Sequence, residues 1–161
     1  MDAPELRARR AHAQLLGEPA EDAVAVVERL LAVQAQELGS ARLAIRARTR
    51  GLIAADVDAE LERGALVVGW LLRGTLHLVR AEDYHWLLAL TAPRRLAANR
   101  RRLGQEGVTP DEAERAVSVV ERALASEGPV TRAQLGGRVA AAGIRAEGQT
   151  LPHLLALAVF R

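Results

Sequence analysis

Leu66-Val67-Val68-Gly69-Trp70-Leu71-Leu72, Arg73-Gly74 and Thr75-Leu76-His77-Leu78-Val79 follow one another near the middle of the chain, and the architecture hangs on how they are read. Two β-rich runs around a glycine turn predict a hairpin. No other segment of the 161 residues reads as a convincing sheet. With Arg73-Gly74 as a two-residue turn, Leu72 pairs with Thr75 and Trp70 stands opposite His77 on one face, so the expected partner of the imidazole is the indole.

Helices are expected on both sides of this hairpin. Residues 4–16 predict a helix closed by Gly17, and residues 21–33 carry Ala23, Val26, Val27, Leu30 and Leu31 on an amphipathic stripe. Ser40 opens a third helix, with Leu43 and Ile45 among Arg42, Arg46, Arg48 and Arg50, closed by Gly51. A fourth, acidic helix covers 54–63. Beyond the hairpin, 82–92 is apolar and helical, and Pro93 is expected to break or kink it before the arginine-rich residues 94–103. Residues 104–108 read as a linker. Thr109-Pro110-Asp111-Glu112 and Thr131-Arg132-Ala133-Gln134 are capping boxes that open two further helices, and residues 151–160 make another. Two helices joined through a proline corner suggest helix-turn-helix packing.

The expected fold is therefore mainly α: a winged helix-turn-helix with one β-hairpin over residues 1–104, then an incomplete second winged-helix unit over 105–161 that lacks its wing. A missing wing implies that the chain is a fragment or that another element substitutes. The apolar residues 151–160 are expected to bury against the second unit, a second chain or a missing C-terminal region.

Composition removes many chemistries. The chain is 50% hydrophobic and 26% charged, enough to bury a core in one domain or two small ones. Cysteine is absent, which excludes thiol nucleophiles, disulfides and cysteine-ligated metals and leaves no sign of secretion. All 22 basic residues are arginine, so Schiff-base chemistry and the P-loop lysine are excluded as well. The serines Ser40, Ser118 and Ser126 lie in no G-x-S-x-G motif, and no G-x-G-x-x-G occurs. Four aromatic residues cannot build a stacking sheet for single-stranded RNA. His12, His85 and His153 lack an i, i+4 ligand partner, so no metal and no cofactor are expected. Without a membrane-length apolar run or a signal peptide, the expectation is a cytoplasmic protein that does not engage membranes.

A pI of 10.2 exaggerates a net charge of only +2, because no lysine titrates between neutrality and the arginines. Distribution says more. Residues 94–106 hold five arginines and one acid, flanked by acidic segments, as expected if some faces meet phosphates. On a helix Arg94, Arg95, Arg101 and Arg102 share one face that suits a phosphate track, although such a run also serves as a plain solvated face. Arg42, Arg46 and Arg50, spaced by four, make a second stripe where a winged helix keeps its recognition residues.

Four stretches carry a family resemblance: Val33-Gln34-Ala35-Gln36, Ala47-Arg48-Thr49, Trp70-Leu71-Leu72-Arg73-Gly74-Thr75-Leu76-His77-Leu78-Val79, and Ala81-Glu82-Asp83-Tyr84-His85-Trp86-Leu87-Leu88-Ala89-Leu90-Thr91-Ala92-Pro93-Arg94. In order and content they resemble the bacterial winged-helix proteins of the AlkZ/YcaQ crosslink-repair DNA glycosylase family. Pro129-Val130-Thr131-Arg132-Ala133-Gln134-Leu135 is similar to the start of that family's second unit. The resemblance implies duplex DNA as partner and hydrolysis of the N-glycosidic bond of an alkylated or crosslinked base. It also implies that Gln34 and Gln36 match the family's Gln-x-Gln motif, whose amides position the attacking water. An N-alkylated purine is cationic and already a good leaving group, so an oriented water and stabilised positive charge suffice. The plain alternative makes the two glutamines surface residues at a helix end. His77 is a candidate DNA contact or a packed core histidine. A non-catalytic module, either a transcriptional regulator or a protein-interaction remnant, is the rival reading. Residues two apart on a helix point roughly 200° from each other, so a shared site demands that the helix end or unwind near Ala35.

Overall fold

The computed structural model describes residues 2–161 and is mainly helical, with a small antiparallel sheet. Contacts within the chain separate it into two units, one ending at Ala89 and one from Leu90 to Arg161. The division falls inside a helix, rather than at the expected 104–108 linker.

In the first unit, α1 (Ala3–Ala13) is capped by Asp2, whose carboxylate accepts the Glu5 N–H at 2.9 Å, and buries none of its residues. The core begins with α2 (Ala23–Leu30), capped by Asp22 and burying Ala23, Val26 and Val27. This helix stops three residues before the sequence pattern predicts. Leu31 adopts φ 67° and ψ −43°, a γ-turn-like conformation uncommon for a non-glycine residue, and Val33–Gln34 becomes strand β1. Next come α3 (Leu38–Arg46) and α4 (Ala54–Glu62), whose entry is held by Asp56 accepting the Ile53 N–H at 2.8 Å.

The hairpin is present as β2 (Leu66–Leu71) and β3 (Thr75–Arg80), with β1 added to give the order β1-β3-β2. Its register differs by one from the two-residue-turn expectation: Leu71 pairs with Thr75, Trp70 with Leu76, and Gly69 with His77. The connection is three residues long. Leu72 and Gly74 take the positive φ values, and the Gly74 N–H closes the loop on the Leu71 carbonyl at 2.9 Å. A two-residue turn of the favoured mirror-image type would instead need Arg73 in the left-handed region. The one-residue shift moves Trp70 to the other face from His77, which removes the expected packing of the imidazole on the indole.

The sheet has two covered faces. Val33, Ala35, Leu66 and Leu78 join Val26, Val27, Ala41, Ile45 and Val57 in the main core against α2, α3 and α4. On the other face Leu71 and Val79 pack with Leu87, Tyr84 and Leu88 from the start of α5 (Ala81–Gln105). That helix continues through Pro93 without ending. Proline removes only one N–H donor from an otherwise long helix, and here the helix outlasts the loss.

The second unit takes the C-terminal part of α5 with α6 (Pro110–Glu127), α7 (Arg132–Ala141) and α8 (Thr150–Phe160). Both capping boxes form as expected: Thr109 with Glu112, and Thr131 with Gln134. Leu154, Leu155, Leu157 and Phe160 are buried, and α8 packs chiefly on α6. A β-carbon at Gly136 would lie 2.8 Å from Leu151 Cδ2, so α7 and α8 meet closely there. No strand occurs in this unit among the described residues.

Asn99 on α5 and His153 on α8 form a reciprocal pair. The Asn99 amide donates to the His153 carbonyl, and His153 Nδ1–H donates to Asn99 Oδ1, both at 2.8 Å. Burial, followed by the charge of Arg102, holds the His153 pKa below its ordinary 6.5. The unfolded chain therefore binds this proton more readily than the folded one. Its stabilising contribution should be complete above about pH 6.5 and lost as pH falls through the lower folded value. Urea unfolding of the wild type and of His153→Gln between pH 5 and 8 checks this, with the two midpoints expected to converge as the solution becomes acidic.

Candidate functional site

A strand repeats every two residues, so the ending of α2 at Leu30 decides where the two glutamines point. Val33 and Ala35 are buried at 7% and 3% exposure, while Gln34 and Gln36 are exposed. Both amides are thus turned away from the main core, Gln34 on the edge strand and Gln36 at the bend that follows it. The segment is held by pairing of Val33 with Leu78 and of Gln34 with His77, and by the Ala35 N–H donating to the Leu76 carbonyl at 2.8 Å. Gln36 is itself fixed, because its Oε1 accepts the Leu76 N–H at 3.2 Å. That bond leaves the Gln36 NH₂ group to donate outward.

His77 stands on the same face, directly across from Gln34. Its Nδ1 lies 2.9 Å from the Thr75 carbonyl, which can only accept, so the neutral ring carries its proton on Nδ1. Gly69 flanks His77 on the other side, and a β-carbon there would sit 2.4 Å from Tyr84 Cε2. Tyr84 therefore occupies the place that a side chain at 69 would take, and burial raises its phenol pKa above 10.0. Sequence reading missed Tyr84. The available signal was a glycine in the middle of a strand, the mark of a close approach by another element.

Below this face, Arg80 at the end of β3 binds Asp83 at 2.7 Å and also reaches Glu28 and Glu82. The Arg80 hydrogen bond, then that of Trp86 Nε1 at 2.9 Å, holds the Asp83 carboxyl below its usual range. The cluster joins the ends of β3 and α2 to the first turn of α5.

The expected arginine stripes are broken up. Arg42 donates through Nε to Asp58 at 2.9 Å and links α3 to α4, whereas Arg46 is exposed and Arg50 lies beyond the end of α3. In the second unit, Arg102 pairs with Glu106 at 2.8 Å, and Arg95 is half-buried with Nε enclosed and unpartnered. Arg94 and Arg101, seven residues apart, are exposed and make no ion pair among the described residues. No group of three acidic, histidine or cysteine side chains suited to a metal ion occurs among the described residues, and no helix there is long and apolar enough to cross a membrane.

The family model of the AlkZ-like DNA glycosylases matches residues 27–161. Among solved structures, the DNA glycosylase AlkZ of Streptomyces sahachiroi is 27% identical to this chain with a TM-score of 0.65. The match covers 94% of this chain and 42% of that protein. No curated protein matches.

The close approach at Gly69 is testable. Gly69→Ala should lower the stability of the first unit by about 1–3 kcal/mol, since the Tyr84 ring must be displaced. Gly39→Ala, with open space around its β-carbon on α3, should raise it by roughly 0.5–1 kcal/mol. Urea denaturation followed by circular dichroism reads both.

Proposed function

The chain belongs to the AlkZ-like DNA glycosylase family, and from that premise we propose that it binds duplex DNA and hydrolyses the N-glycosidic bond of an alkylated or crosslinked base. The observation that carries this reading is the exposure of Gln34 on the edge strand and of Gln36 just past its end, with Gln36 fixed by the Leu76 N–H. Two amides so placed orient a water against a cationic nucleotide without needing an acid.

In the same reading the first unit is a winged helix, with α3 as recognition helix and β2-β3 as wing, and α6 to α8 begin a second such unit without its wing. Arg46 and Arg50 are the DNA contacts of the first unit, with Arg42 serving mainly to brace α3. On α5 Arg94 and Arg101 supply phosphate contacts, supported by Arg95 and Arg102. The exposure of Gln34 and Gln36 equally suits plain surface residues, which favours one second reading, a non-catalytic winged-helix module serving as a transcriptional regulator or a protein-interaction remnant.

Gln34→Ala and Gln36→Ala are each expected to abolish release of an N-alkylated purine from duplex DNA while leaving the circular dichroism spectrum unchanged. Release by the double variant would remove the motif assignment, and binding without release by the wild type would favour the second reading. Replacing Arg94 and Arg101 together by glutamine should reduce the slope of log affinity against log salt by about 2, near 0.9 for each phosphate no longer neutralised. A titration series in increasing sodium chloride reads the slope.

A further inference from the structure

We propose that His77 is the proton acceptor for the water held by Gln34 and Gln36, an assignment that rests on the glycosylase reading above. Hydrolysis makes this demand on the site. As the water oxygen bonds to C1′ of the alkylated nucleotide, the C1′–N bond breaks and its electron pair leaves with the base, neutralising the base's positive charge. One proton of the water must then go elsewhere. A glutamine amide offers no basic site at neutral pH, whereas an imidazole accepts a proton in that range.

Three features place that imidazole. His77 pairs in register with Gln34, so both side chains leave the sheet on one face. The bond from Nδ1 to the Thr75 carbonyl fixes the tautomer and leaves Nε2 as the acceptor. Nε2 has no partner among the described residues, although His77 is only 9% exposed. A histidine kept for packing alone does not need one ring nitrogen fixed and the other left open.

The surroundings hold few competing charges. β1 sets Gln34 on this face, Gln36 follows it bonded to the Leu76 N–H, and β2 sets Gly69, none of which titrates. From α5 comes Tyr84, neutral below pH 10, with His85 edge-on to its ring at 5.4 Å between centroids. Glu37 follows the segment after Gln36, and Arg73 lies in the hairpin loop. Proton transfer thus runs from the water to Nε2, and from there to solvent.

The test is single-turnover release of 7-methylguanine from a methylated duplex between pH 5 and 8. Wild-type release should fall toward the acid end of that range, because protonation of the imidazole removes the acceptor. His77→Gln should be slower by about a hundredfold at pH 7.5 and should lose that acid limb. His85→Gln should keep both rate and limb. Retention of the limb and rate by His77→Gln, while Gln34→Ala is inactive, would overturn the role of His77 and leave the glycosylase reading standing. A wild type that binds the duplex and releases nothing would overturn both. Should His77→Gln fail to fold, the wild-type limb must coincide with the His77 titration followed by imidazole nuclear magnetic resonance, and a mismatch overturns the assignment.

Discussion

The pairing of Val33-Gln34 with His77-Leu78 is the interaction on which the rest of the first unit depends. It takes a segment whose apolar stripe continues that of α2 and turns it into the third strand of a sheet. Leu31 accepts a strained positive-φ backbone, close to a γ-turn, to make the change, at a cost of order 1–3 kcal/mol. Burial of Val33 and Ala35 in the main core, together with the ladder hydrogen bonds, offsets that cost. Once the segment is extended, Gln34 and Gln36 turn away from the main core, and His77 falls between Gln34 and Gly69 as a consequence of register alone. Tyr84 then fills the gap at Gly69 and closes the face toward α5.

Electrostatics in this chain is mostly internal. Arg42 braces α3 against α4, Arg80 gathers Glu28, Glu82 and Asp83, and Arg138 bonds to Glu127 between α6 and α7. Guanidinium groups suit this work because their fork of donors serves two or three acceptors at once. With 22 arginines set against 20 acids, much of the basic charge is answered within the fold. What remains unpaired stands out against it, and Arg94 and Arg101 are the clearest cases on α5. A phosphate contact therefore has to be argued from the unpaired arginines and not from the count of arginines.

The second unit rests on different physics. Its two capping boxes each satisfy backbone N–H groups that a helix start leaves open, and the Thr109 N–H holds the Glu112 carboxyl below its ordinary range. The apolar side of α8 supplies the core, and the Asn99–His153 pair joins it to α5 through groups that would otherwise be buried without partners. Here a terminal helix too apolar for water is covered within its own unit.

Local chemistry was legible in the residues alone. The capping boxes at Thr109 and Thr131, the acidic α4, the apolar α8 and the existence of a hairpin all follow from interactions within about four residues of each other, which a sequence displays directly. The Gln34 and Gln36 pair was legible as a motif, and so was the requirement that the chain leave the helix for both to share a site. Long-range geometry was not. Whether residues 33–36 are helix or strand depends on His77 and Leu78, more than forty positions away, and helical and extended periodicity look alike over so short an apolar stretch. The hairpin register turned on which residue would bear a positive φ, and that residue is Leu72, which packs against the cluster of Leu71, Val79 and Leu87. Arg42 reads as a member of a basic stripe until Asp58, sixteen residues on, is brought against it. Side chains that meet through folding leave no spacing rule in the sequence, because their separation along the chain has no fixed relation to their separation in space.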